Sequence, residues 1–175
     1  MESDGSITID LDDDDLGAAG GPAITRIAYG RHLRVLLVDD RHESVERFVH
    51  SAADSVLDVR LEVVDDVGAA LDRLRRATRK SQRRHAPDIV VANLTDADNH
   101  RLLADLRDDP DLDVPVVVLT RAAGADAERR SFALGAAGHL VSPTGDYERV
   151  ALIHALPDYV PRARAAHAQL EANQG

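Results

Sequence analysis

Apolar residues fall along this chain in short unbroken runs that alternate with spaced apolar stripes. From residue 33, "LRVLLVDD" is a run suited to a strand buried on both faces, and it closes on two acids. The following "RHESVERFVHSAADSV" places Val45, Phe48, Val49, Ala52 and Val56 on one helical stripe. "VRLEVVD" at 59–65 predicts a strand with Val59, Leu61 and Val63 on one face, and "GAALDRLRRATRKSQ" a helix turning Ala70, Leu71 and Leu74 inward. "IVVANL" with "NHRLLADLRDD" makes a third pair, and "VPVVVLT" at 114–120 with "DAERRSFALG" a fourth, its helix capped by Gly135. "GHLVSP", closed by Pro143, and a helix from about Asp146 to Leu156 complete a fifth.

Strands alternating with helices imply an α/β fold: a doubly wound five-stranded parallel sheet, covered on both faces, with right-handed crossovers. In such a sheet of order 2-1-3-4-5, ligands sit beyond the carboxyl ends of the strands, where the strand order reverses. Topology therefore selects Asp39 and Asp40 after the first strand, Asn93 after the third, Thr120 after the fourth, and Ser142 with Pro143 after the fifth. Two adjacent carboxylates at a strand end are oxygen donors of the sort Mg²⁺ accepts.

The flanks carry less pattern. Residues 1–32, with Asp12 to Asp15 and "GAAGGP" at 17–22, combine like charge with glycine and predict an acidic disordered tail. The folded domain then occupies 33–157, and 158–175 form a C-terminal tail with a short Ala-rich helical candidate. That tail is too brief for an added effector domain.

Composition narrows the chemistry. The 175 residues contain no cysteine, which excludes disulfides, thiolate catalysis and cysteine-ligated zinc. The net charge of −10 argues against the nucleic-acid backbone as a partner. No run of about 18 apolar residues suggests a membrane span, and the acidic start does not resemble a secretion signal. A cytoplasmic protein without membrane association is the expectation.

Four segments, "RVLLVDD", "DIVVANL", "VPVVVLT" and "LGAAGHLVSP", in this order and at these gaps, resemble the receiver domain of two-component response regulators. The resemblance spans residues 33–157 and extends to "VGAALDRL" at 67–74. It implies a flavodoxin-like receiver fold in which the acid pair holds Mg²⁺ and an aspartate ending the third strand takes a phosphoryl group from a phosphohistidine. A hydroxyl ending the fourth strand and a lysine after the fifth complete that set. Asp39 and Asp40 match the acid pair and Thr120 the hydroxyl. Asn93 stands at the acceptor position and Ser142 at the lysine position; Ala97 and Arg101 replace the Pro and Gly of the following loop, and His139 the aromatic switch residue.

Those departures alter the chemistry. An ionised carboxylate attacks phosphorus; an amide nitrogen, delocalised into its carbonyl, does not. Ser142 supplies no positive charge, and the loss of a carboxylate weakens any bound divalent ion. No cofactor is expected, and Mg²⁺ only weakly. The reading is an atypical, phosphorylation-independent receiver, or pseudo-receiver, without enzymatic activity, acting through protein contacts. The resemblance places its interaction face on the fourth helix, fifth strand and fifth helix, around Arg129, Arg130, His139 and Tyr147, with homodimerisation through that face.

Alternatives remain open. Asp96 or Asp98 is the substitute acceptor in a working phosphoreceiver, although both read first as solvated loop acids. Asn93 also suits a plain strand end, where its side chain bonds nearby backbone. A nucleotide- or flavin-binding enzyme is disfavoured, because "DDRHES" follows the first strand where a glycine-rich phosphate loop would be needed. His139 is either a titrating partner contact or a core-edge histidine. "RLRRATRKSQRRH" at 73–85 carries seven basic residues. It is either a solvated helix face or a dock for an acidic partner, the chain's own N-terminus included.

Overall fold

The computed structural model describes residues 7–9, 32–79 and 85–172. In chain order the elements are β1 Ile7–Ile9, β2 Leu33–Val38, α1 His42–Ala53, β3 Val59–Val64, α2 Val67–Thr78, β4 Ile89–Ala92, α3 Asp96–Arg107, β5 Val116–Thr120, α4 Ala125–Ala133, β6 Gly138–Val141 and α5 Asp146–Ala172. Strands β2 to β6 are the five expected from the alternation, and they lie parallel in the sheet order β3-β2-β4-β5-β6. That is the order 2-1-3-4-5 once β1 is set aside. Residues of the central strands β2, β4 and β5 are almost all buried, as a sheet covered on both faces requires.

Alternation along the strands divides the core in two. Leu36, Val38, Val90, Ala92, Val116 and Val118 face α2 and α3, where Leu71, Leu74, Leu102 and Leu106 fill the layer. Val35, Leu37, Val91, Val117 and Leu119 face α1 and α5, meeting Phe48, Ala52, Ile153 and Leu156. Local chemistry sets the helix ends. The Asp66 side chain accepts from the Ala69 amide at 2.7 Å, starting α2. Gly135, at φ +97°, closes the end of α4 in the left-handed region that glycine enters without strain, as the sequence predicts.

Three boundaries differ from the expectation, each for a physical reason. Residues 1–32 read as a tail, yet Ile7–Ile9 form an antiparallel edge strand on β3, with Ile7 opposite Val63 and Ile9 opposite Leu61. Ile-Thr-Ile is a β-branched, period-two segment, too short to register inside an acid-rich window; residues 1–6 and 10–31 of the predicted tail lie outside the described residues. Helix α3 starts at Asp96 rather than Asn99, because Thr95 caps it by accepting from the Asp98 amide at 3.2 Å. Asp96 and Asp98 are thus first-turn helix acids, favoured by the helix dipole, and not loop residues.

Helix α5 does not stop before Pro157. It continues to Ala172, and beyond the proline Tyr159 and Val160 still pack on the α1–α5 core, outweighing the lost backbone bond. The expected tail at 158–175 is therefore helical as far as residue 172. Val56, expected on the inner stripe of α1, lies past that helix's end and is 69% exposed.

Candidate functional site

The strand-end residues converge as topology requires. Asp39 follows β2, fixed by its amide donating to the Val64 carbonyl at 3.0 Å, and Asn93 follows β4, its amide donating to the Val38 carbonyl at 2.8 Å. Both side chains are buried, Asp39 at 2% and Asn93 at 4% exposure. Asn93 Nδ2 donates to Asp39 Oδ2 at 2.6 Å and to Ser44 Oγ at 3.1 Å. Ser44, in the first turn of α1, donates its hydroxyl to the same Asp39 oxygen at 2.6 Å. The other oxygen, Oδ1, accepts from the Arg41 amide at 3.0 Å and from Arg41 Nε at 3.3 Å.

Every lone-pair direction of the Asp39 carboxylate thus meets a donor, two of them belonging to one arginine and one to the Asn93 amide. Such a carboxylate is committed to the protein, and Asp40 beside it is exposed. Among the described residues no group of three or more His, Asp or Glu side chains is arranged to hold a metal ion. This donor set does not fit a resident divalent cation, which needs open oxygens from several ligands.

Thr120, ending β5, is buried, and its one hydroxyl proton is shared between two acceptors, Asp96 Oδ1 at 2.9 Å and the Ala122 carbonyl at 3.2 Å. Ser142, after β6, is held by its amide donating to the Thr120 carbonyl at 2.7 Å. Asn93 and Ser142 line one depression of about 330 Å³ together with Arg41, Arg47, Arg121 and Arg149. The arginines are a feature the sequence reading missed. Only their spacing from the strand ends could have marked them, since Arg41 and Arg121 come one or two residues after the selected positions. Arg149 is buried and bonded to Asp146 at 2.7 Å, and Arg47 pairs with Glu43 on α1.

His139 does not face open solvent. Its Nδ1 lies 2.9 Å from Ser131 Oγ, and the same hydroxyl lies 3.1 Å from His100 Nε2, which is also 3.3 Å from the Ala127 carbonyl. A carbonyl only accepts, so the contact with Ala127 places a hydrogen on His100 Nε2, shared with the Ser131 hydroxyl, which also bonds His139 Nδ1. The other ring nitrogen of His139, Nε2, is a buried atom with no hydrogen-bond partner. A buried polar chain therefore joins α3, α4 and β6. The sequence reading singled out His139 but neither His100 nor Ser131, because their meeting depends on how the helices pack. Asn99 is a further unforeseen tie: its Oδ1 accepts from the Leu94 amide at 3.2 Å and its Nδ2 donates to the Leu119 carbonyl at 3.2 Å, fixing the loop that carries Asn93.

Glu148 has a carboxyl held below the usual carboxylate range, chiefly by the Thr144 amide, then by the Gly145 amide and the Thr144 hydroxyl. These donors close the start of α5, next to Ser142.

No protein-family model matches the sequence, and no curated protein matches it. Among solved structures, the chain is similar to the phosphorylated phytochrome response regulator RcpA of a cyanobacterium, at 21% identity and a TM-score of 0.61, covering 74% of this chain and 94% of that one. It is similar also to a response regulator in red light signaling of R. palustris, at 22% identity and a TM-score of 0.61 over 70% of this chain and 90% of that one. A chemotaxis response regulator of Vibrio cholerae matches at 19% identity and a TM-score of 0.58 over 71% and 98% of the two chains. At the carboxyl ends of its parallel strands, then, this chain presents an amide-bonded carboxylate on the fold of the response-regulator receiver domain.

Proposed function

We propose that this chain is a phosphorylation-independent receiver-fold domain, a non-enzymatic signalling or regulatory adaptor of the cytoplasm that works through protein contacts. The observation that carries this reading is the bond from Asn93 to Asp39: the position a phosphoacceptor would occupy holds a buried amide committed to the neighbouring carboxylate. An amide in that bond offers phosphorus no anionic attacker. Ser142 supplies a hydroxyl and no cation, and Mg²⁺ binds weakly at most, since it must displace the Arg41, Ser44 and Asn93 donors from Asp39.

The partner is a protein, or a second copy, meeting α4, β6 and α5. Supporting this face are its exposed apolar side chains, Phe132 on α4, Val141 on β6 and Tyr147 on α5, alongside the exposed Arg129 and Arg130. Exposed apolar groups gathered on adjoining elements favour association. His139, tied to Ser131, serves as a packing residue at the back of this face.

A second reading keeps phosphotransfer on Asp96. Its carboxylate is in contact with the Thr120 hydroxyl, whereas Asp98 is occupied by Thr95 at 2.7 Å. Incubation with acetyl phosphate and Mg²⁺, followed by intact mass, separates the two. The adaptor reading expects no phosphoryl adduct; an adduct that is lost in Asp96→Asn would establish the second reading and overturn the first.

A further inference from the structure

The depression at the strand ends holds polar groups that the fold leaves unused. Asn93 is 4% exposed, and a carboxylate only accepts, so its bond to Asp39 Oδ2 fixes the amide nitrogen on that side. The same nitrogen donates to Ser44 Oγ, and the carboxamide oxygen takes no hydrogen bond among the described residues. That oxygen is not sealed in the core, so it opens on the depression that Asn93 lines. A nearly buried acceptor in this position calls for a donor from outside the chain.

Charge around the depression is uneven as well. Of the four arginines that line it, Arg41 pairs with Asp39 at 3.3 Å, Arg47 with Glu43, and Arg149 with Asp146 at 2.7 Å. Arg121, which follows Thr120 at the end of β5, is exposed and has no carboxylate or other side-chain partner among the described residues. The Ser142 hydroxyl, just beyond β6, is likewise without a hydrogen bond there. Adjacent strands lie about 4.8 Å apart, so Asn93, Arg121 and Ser142 stand on three successive strand ends within reach of one small molecule. Phe48, Leu119 and Pro143 give the depression an apolar wall, and its volume of about 330 Å³ suits a small ligand.

We propose that this depression binds a small 2-hydroxy acid, held without a covalent bond. The ligand's carboxylate lies on the Arg121 guanidinium, whose planar fork takes two oxygens, and accepts from the Ser142 hydroxyl. The hydroxyl on the neighbouring carbon donates to the Asn93 oxygen, and the remaining hydrocarbon rests on the apolar wall. A single unpaired guanidinium matches one negative charge better than the nearly two of a phosphate monoester. An amino acid fits less well, because its ammonium would stand among four arginines. The proposal deepens the adaptor reading, since it rests on the Asn93–Asp39 bond and gives the blocked site a ligand.

Mandelate, a 2-hydroxy acid with an aromatic substituent, tests this when titrated into the full chain with amide NMR detection and no phosphoryl donor present. Saturable shifts are expected at Asn93, Arg121 and Ser142, with a dissociation constant on the order of 1 mM. Phenylacetate, which lacks the hydroxyl, should bind about 5- to 10-fold more weakly, and mandelamide, which lacks the charge, about 10- to 100-fold more weakly. Arg121→Gln should weaken mandelate by a factor similar to that for mandelamide. Arg107→Gln on α3 should leave it unchanged, and unaltered amide shifts in β2 and β3 show that both variants fold. Shifts that do not saturate, that are equal for mandelamide, or that survive Arg121→Gln overturn the proposal, as does tighter binding of inorganic phosphate. A phosphoryl adduct in the acetyl phosphate experiment overturns the adaptor reading alone, and failure of mandelate overturns this proposal alone.

Discussion

Asn93 Nδ2 lies 2.6 Å from Asp39 Oδ2, a buried hydrogen bond from a neutral amide to a carboxylate at the top of adjoining strands. Replacing the amide by a carboxylate converts the donor into a second anion at the same distance. In Asn93→Asp, the loss of a bond to a charged group costs about 1.5–3 kcal/mol, and like-charge repulsion adds to it. Urea unfolding with and without MgCl₂ checks this: the ion should raise the midpoint of the variant, whose two acids and Asp40 now form a cation site, and leave the native midpoint nearly unmoved.

Ser131 is fully buried and relays hydrogen bonds between His100 and His139. Ser131→Ala removes the hydrogen-bond partner of His139 Nδ1 and leaves His100 with the Ala127 carbonyl alone. A cost of about 1–3 kcal/mol is expected for the orphaned polar atom. Thermal or urea unfolding measures it, and Ser131→Thr, which keeps the hydroxyl, should recover part of the loss if it fits.

Glu148 has its carboxyl lowered by the Thr144 and Gly145 donors, so its charged form is favoured in the folded chain. A depressed carboxyl contributes stability above its unfolded value and loses it as the pH falls through the folded one. Glu148→Gln should therefore be less stable than the native chain at neutral pH, and the two should converge in acid once Glu148 is protonated. Paired unfolding curves across that pH range give the result, and a difference that stays constant would count against the carboxylate's role.

A Cβ placed on Gly138 would meet the Tyr159 ring at 2.7 Å. Since Tyr159 packs on the α1–α5 core past Pro157, Gly138→Ala must push that ring away or bend β6. Overpacking of this kind costs about 1–3 kcal/mol. Hydrogen exchange should show faster opening of α5 after residue 157 in this variant, with β2 and β4 unchanged.

Much of the framework was legible beforehand because burial on both faces writes itself into a strand as an apolar run, and Leu33–Val38, Ile89–Ala92 and Val116–Thr120 are such runs. The placement of Asp39, Asn93, Thr120 and Ser142 near one another followed from the same topology. Boundaries were less legible. Pro157 carries a helix-breaking signal that the packing of Tyr159 and Val160 overrides, and Ile7–Ile9 is a strand only because the edge of β3 accepts it.

The sequence by itself determined which residues stand at the strand ends, and that an amide occupies the third of those positions, because strand periodicity and order are local properties of the chain. Tertiary structure alone decided what each side chain touches. The commitment of Asp39 to Arg41, Ser44 and Asn93, the relay through Ser131, and the four arginines around one depression arise from residues brought together across separate elements. Hydrogen bonds and charge pairs act over a few ångströms in space, and pattern along the chain does not encode that distance.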